Sequence, residues 1–186
     1  MRYDPNKHHR RSIRMAGHDY AAACAYFVTI VTHNRDCILG DVVNDVLVMS
    51  AFGQIAHEEW ARSAEIRREV ELDAFVVMPD HVHGIVIFHD HDRDRDEGDE
   101  AAASSKALIE NKPQRIQRAA HSLGTFVGGY KGTVTRRINV ARDTPGAPMW
   151  QRNYHETVIH NERQLNGYRK YIGDNPMQWV LDHPNM

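Results

Sequence analysis

The chain has 186 residues, 41% of them hydrophobic, which suits one compact domain with its own core and is too short for two. No apolar run approaches the roughly 18 to 20 residues needed to span a bilayer, and no signal-length apolar stretch follows the basic N-terminus, so a spanning helix is excluded and export is not expected. Cys24 and Cys37 are the only cysteines, too few for a zinc framework, and a reducing cytosol is the simplest setting. The formal charge of −2 looks indifferent to nucleic acid, but it sums unlike parts.

In chain order, residues 1–20 read as a basic arm; Met1 to Arg14 alone sums to +4, with Arg10, Arg11 and Arg14 among its cations. Tyr26 to Thr32 is rich in β-branched and aromatic residues and reads as a strand, followed by a loop marked by Asn34, Arg35, Asp36 and Gly40. Ser50 precedes a helical spacing of Phe52, Ile55, Ala56, Trp60 and Ala64. Leu72 to Met78 and Val82 to Phe88 are apolar runs joined by a Pro79-Asp80 corner, the pattern of an antiparallel hairpin. Residues 90–112 read as a long flexible loop, opening with Asp90 to Glu100, where seven acids oppose Arg93 and Arg95 for a local sum of −5. From Lys106 to Arg142 the sum is +7, and a helical spacing runs from Ile116 to Ile138 with Gly124, Gly128, Gly129 and Gly132 as points where it can bend or break. Trp150 to Ile159 is a last strand. Asn161 caps a final helix expected to end near Asp174, where Asn175-Pro176 stops it.

This order, βαββαβ plus a C-terminal helix, is the split βαβ arrangement of ferredoxin-like α+β folds: an antiparallel sheet with both long helices on one face. Residues 1–186 form one such domain.

The sharpest local pattern is Met78-Pro-Asp-His-Val-His-Gly84. Alternation along a strand sends His81 and His83 to one side, about 6 to 7 Å apart at the backbone, where two imidazoles can converge on one ion. An ordinary polar pair at a sheet edge would look the same, and a metal needs a further ligand. Tyr171 and Asn175, four apart on the last helix, put a phenol one turn before a carboxamide. Spacing alone leaves open a packing tyrosine and a helix stop. Asp80 can orient His81 or simply close the turn, and the turn is the favoured reading. Lys131, Arg136 and Arg137 on the basic helix, with Arg10, Arg11 and Arg14 on the arm, suit phosphate contacts, although a solvated helix face is as common for any one charge.

Several blocks in order, YFVTIVTHNRDCILG, ELDAFVVMPDHVHGIVIF, SLGTFVGGYKGTVTRRIN and PMWQRNYHETVIHNERQLNGYRKYIGDNPMQW, resemble the HUH-motif single-strand DNA transposases, and within them the REP-associated tyrosine transposases. The resemblance implies that His81, His83 and Asn175 bind a divalent ion, Mg²⁺ or Mn²⁺, and that Tyr171 is the nucleophile. It implies single-stranded or hairpin DNA as partner, no membrane partner, a cytoplasmic, nucleoid-associated site of action, and either a homodimer or a monomer. Tyr130, Tyr154 and Tyr168 compete as nucleophiles, with Tyr130 the main rival. Trp150, Tyr154 and His155 are candidates for base stacking. Two other activities compete: a hairpin-binding regulator that no longer cleaves, and a small-molecule hydrolase sharing the histidine pair. Deleting Asp90 to Glu100 is expected to strengthen DNA binding.

Overall fold

The computed structural model describes residues 24–44, 46–89 and 122–182. The basic arm with Arg10, Arg11 and Arg14, and the acidic segment, lie outside these residues. In chain order the elements are β1 (Cys24–Val31), β2 (Gly40–Val43), β3 (Val46–Met49), α1 (Ala51–Ile66), β4 (Val70–Val77), β5 (His81–Phe88), α2 (Leu123–Ala141), β6 (His155–Ile159) and α3 (Glu162–Asp182).

Four strands form one antiparallel sheet in the order β4-β5-β1-β6. The β1–α1–β4 unit is split by β5, and the β5–α2–β6 unit is split by β1, which is the ferredoxin-like α+β arrangement. Alternation along the central strands divides their side chains between two layers. Tyr26, Val28, Ile30, Val82 and Val86 pack with Trp60 of α1 and Phe126, Tyr130 and Val134 of α2. Phe27, Ile85 and Ile159 face the opposite way and pack with Ile172 of α3. The first two helices thus cover one face, as expected, and the C-terminal helix covers the other.

Gly84 shows why the helix-covered face is tight: a Cβ there would collide with the Trp60 ring. Ser50 caps α1 by accepting from the Phe52 and Gly53 amides. Asn161 caps α3 through its side-chain oxygen, which accepts from Gln164 N at 3.0 Å. The four glycines do not break α2, which is continuous from its Ser122 cap; the earlier part of the expected helix lies outside the described residues.

Three expectations need correction. The loop after β1 contains a second hairpin, β2–β3, whose two four-residue strands are shorter than the apolar runs that mark the main sheet. The regular strand before α3 is only His155–Ile159; Trp150 makes an isolated bridge to Thr32. Pro176 does not stop α3, which continues to Asp182. Proline removes one N–H donor from a helix, but here the segment beyond it is held by tertiary contact, with Trp179 against His81 at a ring separation of 5.9 Å. No helix among the described residues is long and apolar enough to cross a membrane.

Candidate functional site

The site forms where the α3-covered face of β1 and β5 meets the middle of α3. The antiparallel register pairs Thr29 with His83 and Val31 with His81. His81 is the first residue of β5, just beyond a turn closed by the Met78 amide donating to the His81 carbonyl at 2.7 Å. Their shared face puts the two rings 4.5 Å apart, and their Nε2 atoms 3.0 Å apart.

The other ring nitrogens are held from behind. His81 Nδ1 lies 2.5 Å from Asp80 Oδ1, and Arg35 Nη1 donates to Asp80 Oδ2 at 3.2 Å. Burial opposes ionisation of Asp80, but the hydrogen bond and charge of His81, with Arg35, outweigh it and hold the carboxyl below the usual aspartate range. A carboxylate only accepts, so His81 Nδ1 is the donor and the lone pair of a neutral ring sits on Nε2. The favoured turn reading of Asp80 is therefore incomplete: its backbone carbonyl accepts from Thr32, and its side chain orients His81.

His83 Nδ1 lies 2.8 Å from Thr29 Oγ1. Burial, reinforced by the neighbouring His81, pushes the His83 pKa down to about 3, so this ring is neutral at any ordinary pH. The Thr29 hydroxyl can give or take. As donor it leaves the proton on His83 Nε2, which then donates to His81 Nε2. As acceptor it draws the proton to Nδ1 and turns both Nε2 lone pairs toward one point, an arrangement that repels unless a cation sits there. Turning the hydroxyl, with solvent taking the His83 proton from Nε2 and returning one to Nδ1, thus converts a proton-bridged pair into a pair of ligands.

The separation suits that second state, since two nitrogens bound at right angles about 2.1 Å from one ion stand about 3.0 Å apart. Among the described residues no group of three or more His, Cys, Asp or Glu is placed to hold a metal, so any third protein ligand from these residues would be of another kind. Asn175 carries an amide on the neighbouring helix. It is buried at 6% exposure on α3, one turn after Tyr171 and one turn before Trp179. The Tyr171 ring stands 5.3 Å from His83 and the Trp179 ring 5.9 Å from His81, so the helix face that carries Asn175 is turned toward the histidine pair. Two imidazoles and an amide oxygen suit Mn²⁺ and are tolerated by Mg²⁺ with added waters.

Tyr171 is 47% exposed and rests edge-on against Phe27 at 5.8 Å. The rival phenols are occupied. Tyr130 is buried between α1 and the sheet, donates to the Ala56 carbonyl at 3.1 Å, and has its ionisation strongly opposed by burial and by Glu59. Tyr168 stacks on Phe27 at 4.5 Å, and Tyr154 packs against the main core.

The cations assigned to DNA fare differently from one another. Lys131 Nζ donates to the carbonyls of Gln151, Arg152 and Asn153, and Arg137 is paired with Glu58 and Glu59 at 2.7 Å each. Both are tied into the structure, whereas Arg136 is exposed. Trp150 is only 7% exposed and belongs to the core, so it is no open stacking platform; His155 is exposed. Sequence reasoning missed Thr29, Arg35 and Trp179. Trp179 had a legible signal, lying two turns beyond Tyr171 on one helix face. Thr29 and Arg35 had none, because only strand register and the path of a loop bring them to the histidines.

No family model matches the chain. It is 28% identical over 181 residues to an uncharacterized protein of Haemophilus influenzae, spanning 97% of this chain and 96% of that one. Among solved structures, it resembles a REP-associated tyrosine transposase bound to a REP hairpin, with a TM-score of 0.52 and 16% identity over 89% of this chain and 73% of the other. The two share a fold. A Deinococcus radiodurans R1 protein described as a candidate transposase is 20% identical, with a TM-score of 0.40 over 87% of this chain and 97% of its own.

Proposed function

We propose that this protein is a metal-dependent single-strand DNA endonuclease and strand transferase that acts at hairpin repeats through Tyr171. The observation that carries the reading is the 3.0 Å approach of His81 Nε2 and His83 Nε2 beside the Tyr171 ring. The shared fold with a transposase that was solved on a DNA hairpin supports it.

On this reading His81, His83 and Asn175 hold a divalent ion, Mg²⁺ or Mn²⁺, with Asp80 and Thr29 orienting the two rings. The bound ion would supply Lewis-acid charge to offset the anionic phosphodiester, which otherwise repels a nucleophile. Tyr171 attacks phosphorus through its phenolic oxygen after losing its proton to solvent. The new bond is Oη–P and the bond broken is P–O3′; the departing 3′ oxygen takes a proton from water. The product is a 5′-phosphotyrosine and a free 3′-OH, which conserves the bond for rejoining to another strand. The exposure of Tyr171 fits a nucleophile that must accept a polymer.

Incubation with a labelled hairpin oligonucleotide and Mn²⁺ is expected to give a protein–DNA adduct that survives denaturation and is absent from Tyr171→Phe. Hairpin binding without adduct would instead identify a regulator. No DNA binding, with turnover of small phosphodiesters, would identify a hydrolase.

A further inference from the structure

Three strands carry one row of side chains across the face that holds the candidate site. His83 of β5 pairs with Thr29 of β1, and Thr29 pairs on its other side with His155 of β6. Directly opposed residues of antiparallel strands project to the same face, so His155 shares the face of Thr29 and His83. The Thr29 hydroxyl, 2.8 Å from His83 Nδ1, fixes that direction for the first two. His155 stands two strand spacings from His83, about 10 Å at the backbone. The contacts of Tyr171 with His83 and Phe27, of Trp179 with His81 and of Arg169 with Asp73 seat the middle of α3 on the β1, β5 and β4 side of this row. At the β6 end, His155 and Thr157 are exposed.

Phosphoryl displacement puts the attacking and leaving oxygens roughly in line. With the phenol of Tyr171 supplied from α3, a phosphodiester anchored beside the His81–His83 pair releases its 3′ oxygen away from α3, toward Thr29 and the β6 end of the row. An alkoxide leaves poorly unless a proton meets it as the bond breaks, and a positioned acid contributes about 10²- to 10⁴-fold. Imidazole suits that task because it both gives and takes a proton at physiological pH. The cations on α3 do not: Arg169 is paired with Asp73 and Lys170 with Asp174, and both side-chain types hold their protons too tightly.

We infer that His155 is the acid that hands the departing 3′ oxygen its proton, and the base that takes it back when a strand is rejoined. In cleavage Tyr171 Oη bonds to phosphorus, the P–O3′ bond breaks with its electron pair on O3′, and that oxygen takes the proton of the His155 imidazolium; the neutral ring is then reprotonated from water. In rejoining, neutral His155 removes the proton of an incoming 3′-OH as its oxygen bonds to phosphorus, and the P–Oη bond breaks with its pair on the phenol oxygen, which solvent protonates. The inference rests on the proposed function and adds to it the residue that relays the proton from water.

The test uses the full chain, Mn²⁺ and a labelled hairpin oligonucleotide in two forms, one with the natural oxygen at the scissile 3′ position and one with sulfur there, the position being read first from the 3′ end of the released fragment. On the oxygen substrate, single-turnover adduct formation by His155→Ala and by His155→Gln is expected to be about 100-fold slower than by wild type. On the sulfur substrate both variants should match wild type, because a thiolate departs without a proton. Affinity for Mn²⁺ and for the hairpin should be unchanged. An equal loss on both substrates, or weakened hairpin binding that accounts for it, would make His155 a stacking or structural residue and overturn the inference, as would wild-type rates on the oxygen substrate. In each of these cases adduct formation by the wild-type chain leaves the proposed function standing; absence of the adduct from wild type on either substrate would overturn both.

Discussion

His83 Nδ1 sits 2.8 Å from the Thr29 hydroxyl, its cross-strand partner on β1. This pairing, with Asp80 behind His81, determines whether the two Nε2 atoms share a proton or present two lone pairs. Both supports should therefore be felt in metal affinity. Thr29→Val and Asp80→Asn are each expected to weaken Mn²⁺ binding by about 10- to 100-fold, while Thr29→Ser stays near wild type. Isothermal titration with Mn²⁺ decides it, and equal affinity in Thr29→Val would show that the hydroxyl has no such role.

Tyr171 and Tyr130 should separate cleanly. Tyr171→Phe is expected to abolish the covalent adduct and shift stability by no more than about 0.5 kcal/mol, since the phenol is half exposed. Tyr130→Phe loses the hydrogen bond to Ala56 in a buried setting and should cost about 1 kcal/mol in urea unfolding while keeping the adduct. The reverse pattern would place the nucleophile on α2.

Much of this was legible in the sequence because the relevant signals are local. The β4–β5 hairpin, the Ser50 and Asn161 caps, and the common face of His81 and His83 follow from periodicity and capping chemistry. What was not legible depends on tertiary contact. Pro176 reads as a helix stop, yet contacts beyond it, such as that of Trp179, hold the helix across it. Lys131 and Arg137 read as free cations, but one holds a loop and the other is paired with two glutamates. The β2–β3 hairpin consists of strands too short to show a period.

Gly84 separates the two faces of β5 energetically. Gly84→Ala would drive a methyl group into the Trp60 ring and is expected to cost about 1 to 3 kcal/mol, since a stacked indole flanked by Phe75 at 4.5 Å has little room to give. Chemical denaturation reads the loss directly. Gly84→Ala/Trp60→Phe, which removes the blocking atoms, should recover part of it.

On the proposed function, the acidic run outside the described residues is expected to oppose DNA binding by charge alone. Replacing its seven carboxylates with amides changes the local sum from −5 to +2, since Arg93 and Arg95 remain. Single-strand affinity is expected to rise at low salt and converge with wild type as salt is added, because the Debye length shrinks to about 3 Å at 1 M. A salt-independent change would point to contact rather than field.

Asp73 and Arg169 tie β4 to α3 near the candidate site, with Arg169 Nε donating to both carboxylate oxygens. That hydrogen bonding lowers the Asp73 pKa below its ordinary value of 3.8 despite some opposing burial. A carboxyl with a depressed folded pKa contributes stability that is fully present above its unfolded pKa and is lost as pH falls through the folded value. The melting temperature of Asp73→Asn should therefore lie below that of wild type at pH 6 to 7, and the gap should close as pH falls below the ordinary aspartate value and through the lowered folded one. Arg169 is exposed, so the gap should also narrow in high salt. A gap that persists unchanged at low pH would mean that Asp73 acts through packing or its bond to the Ala74 amide, and that its charge does not anchor α3.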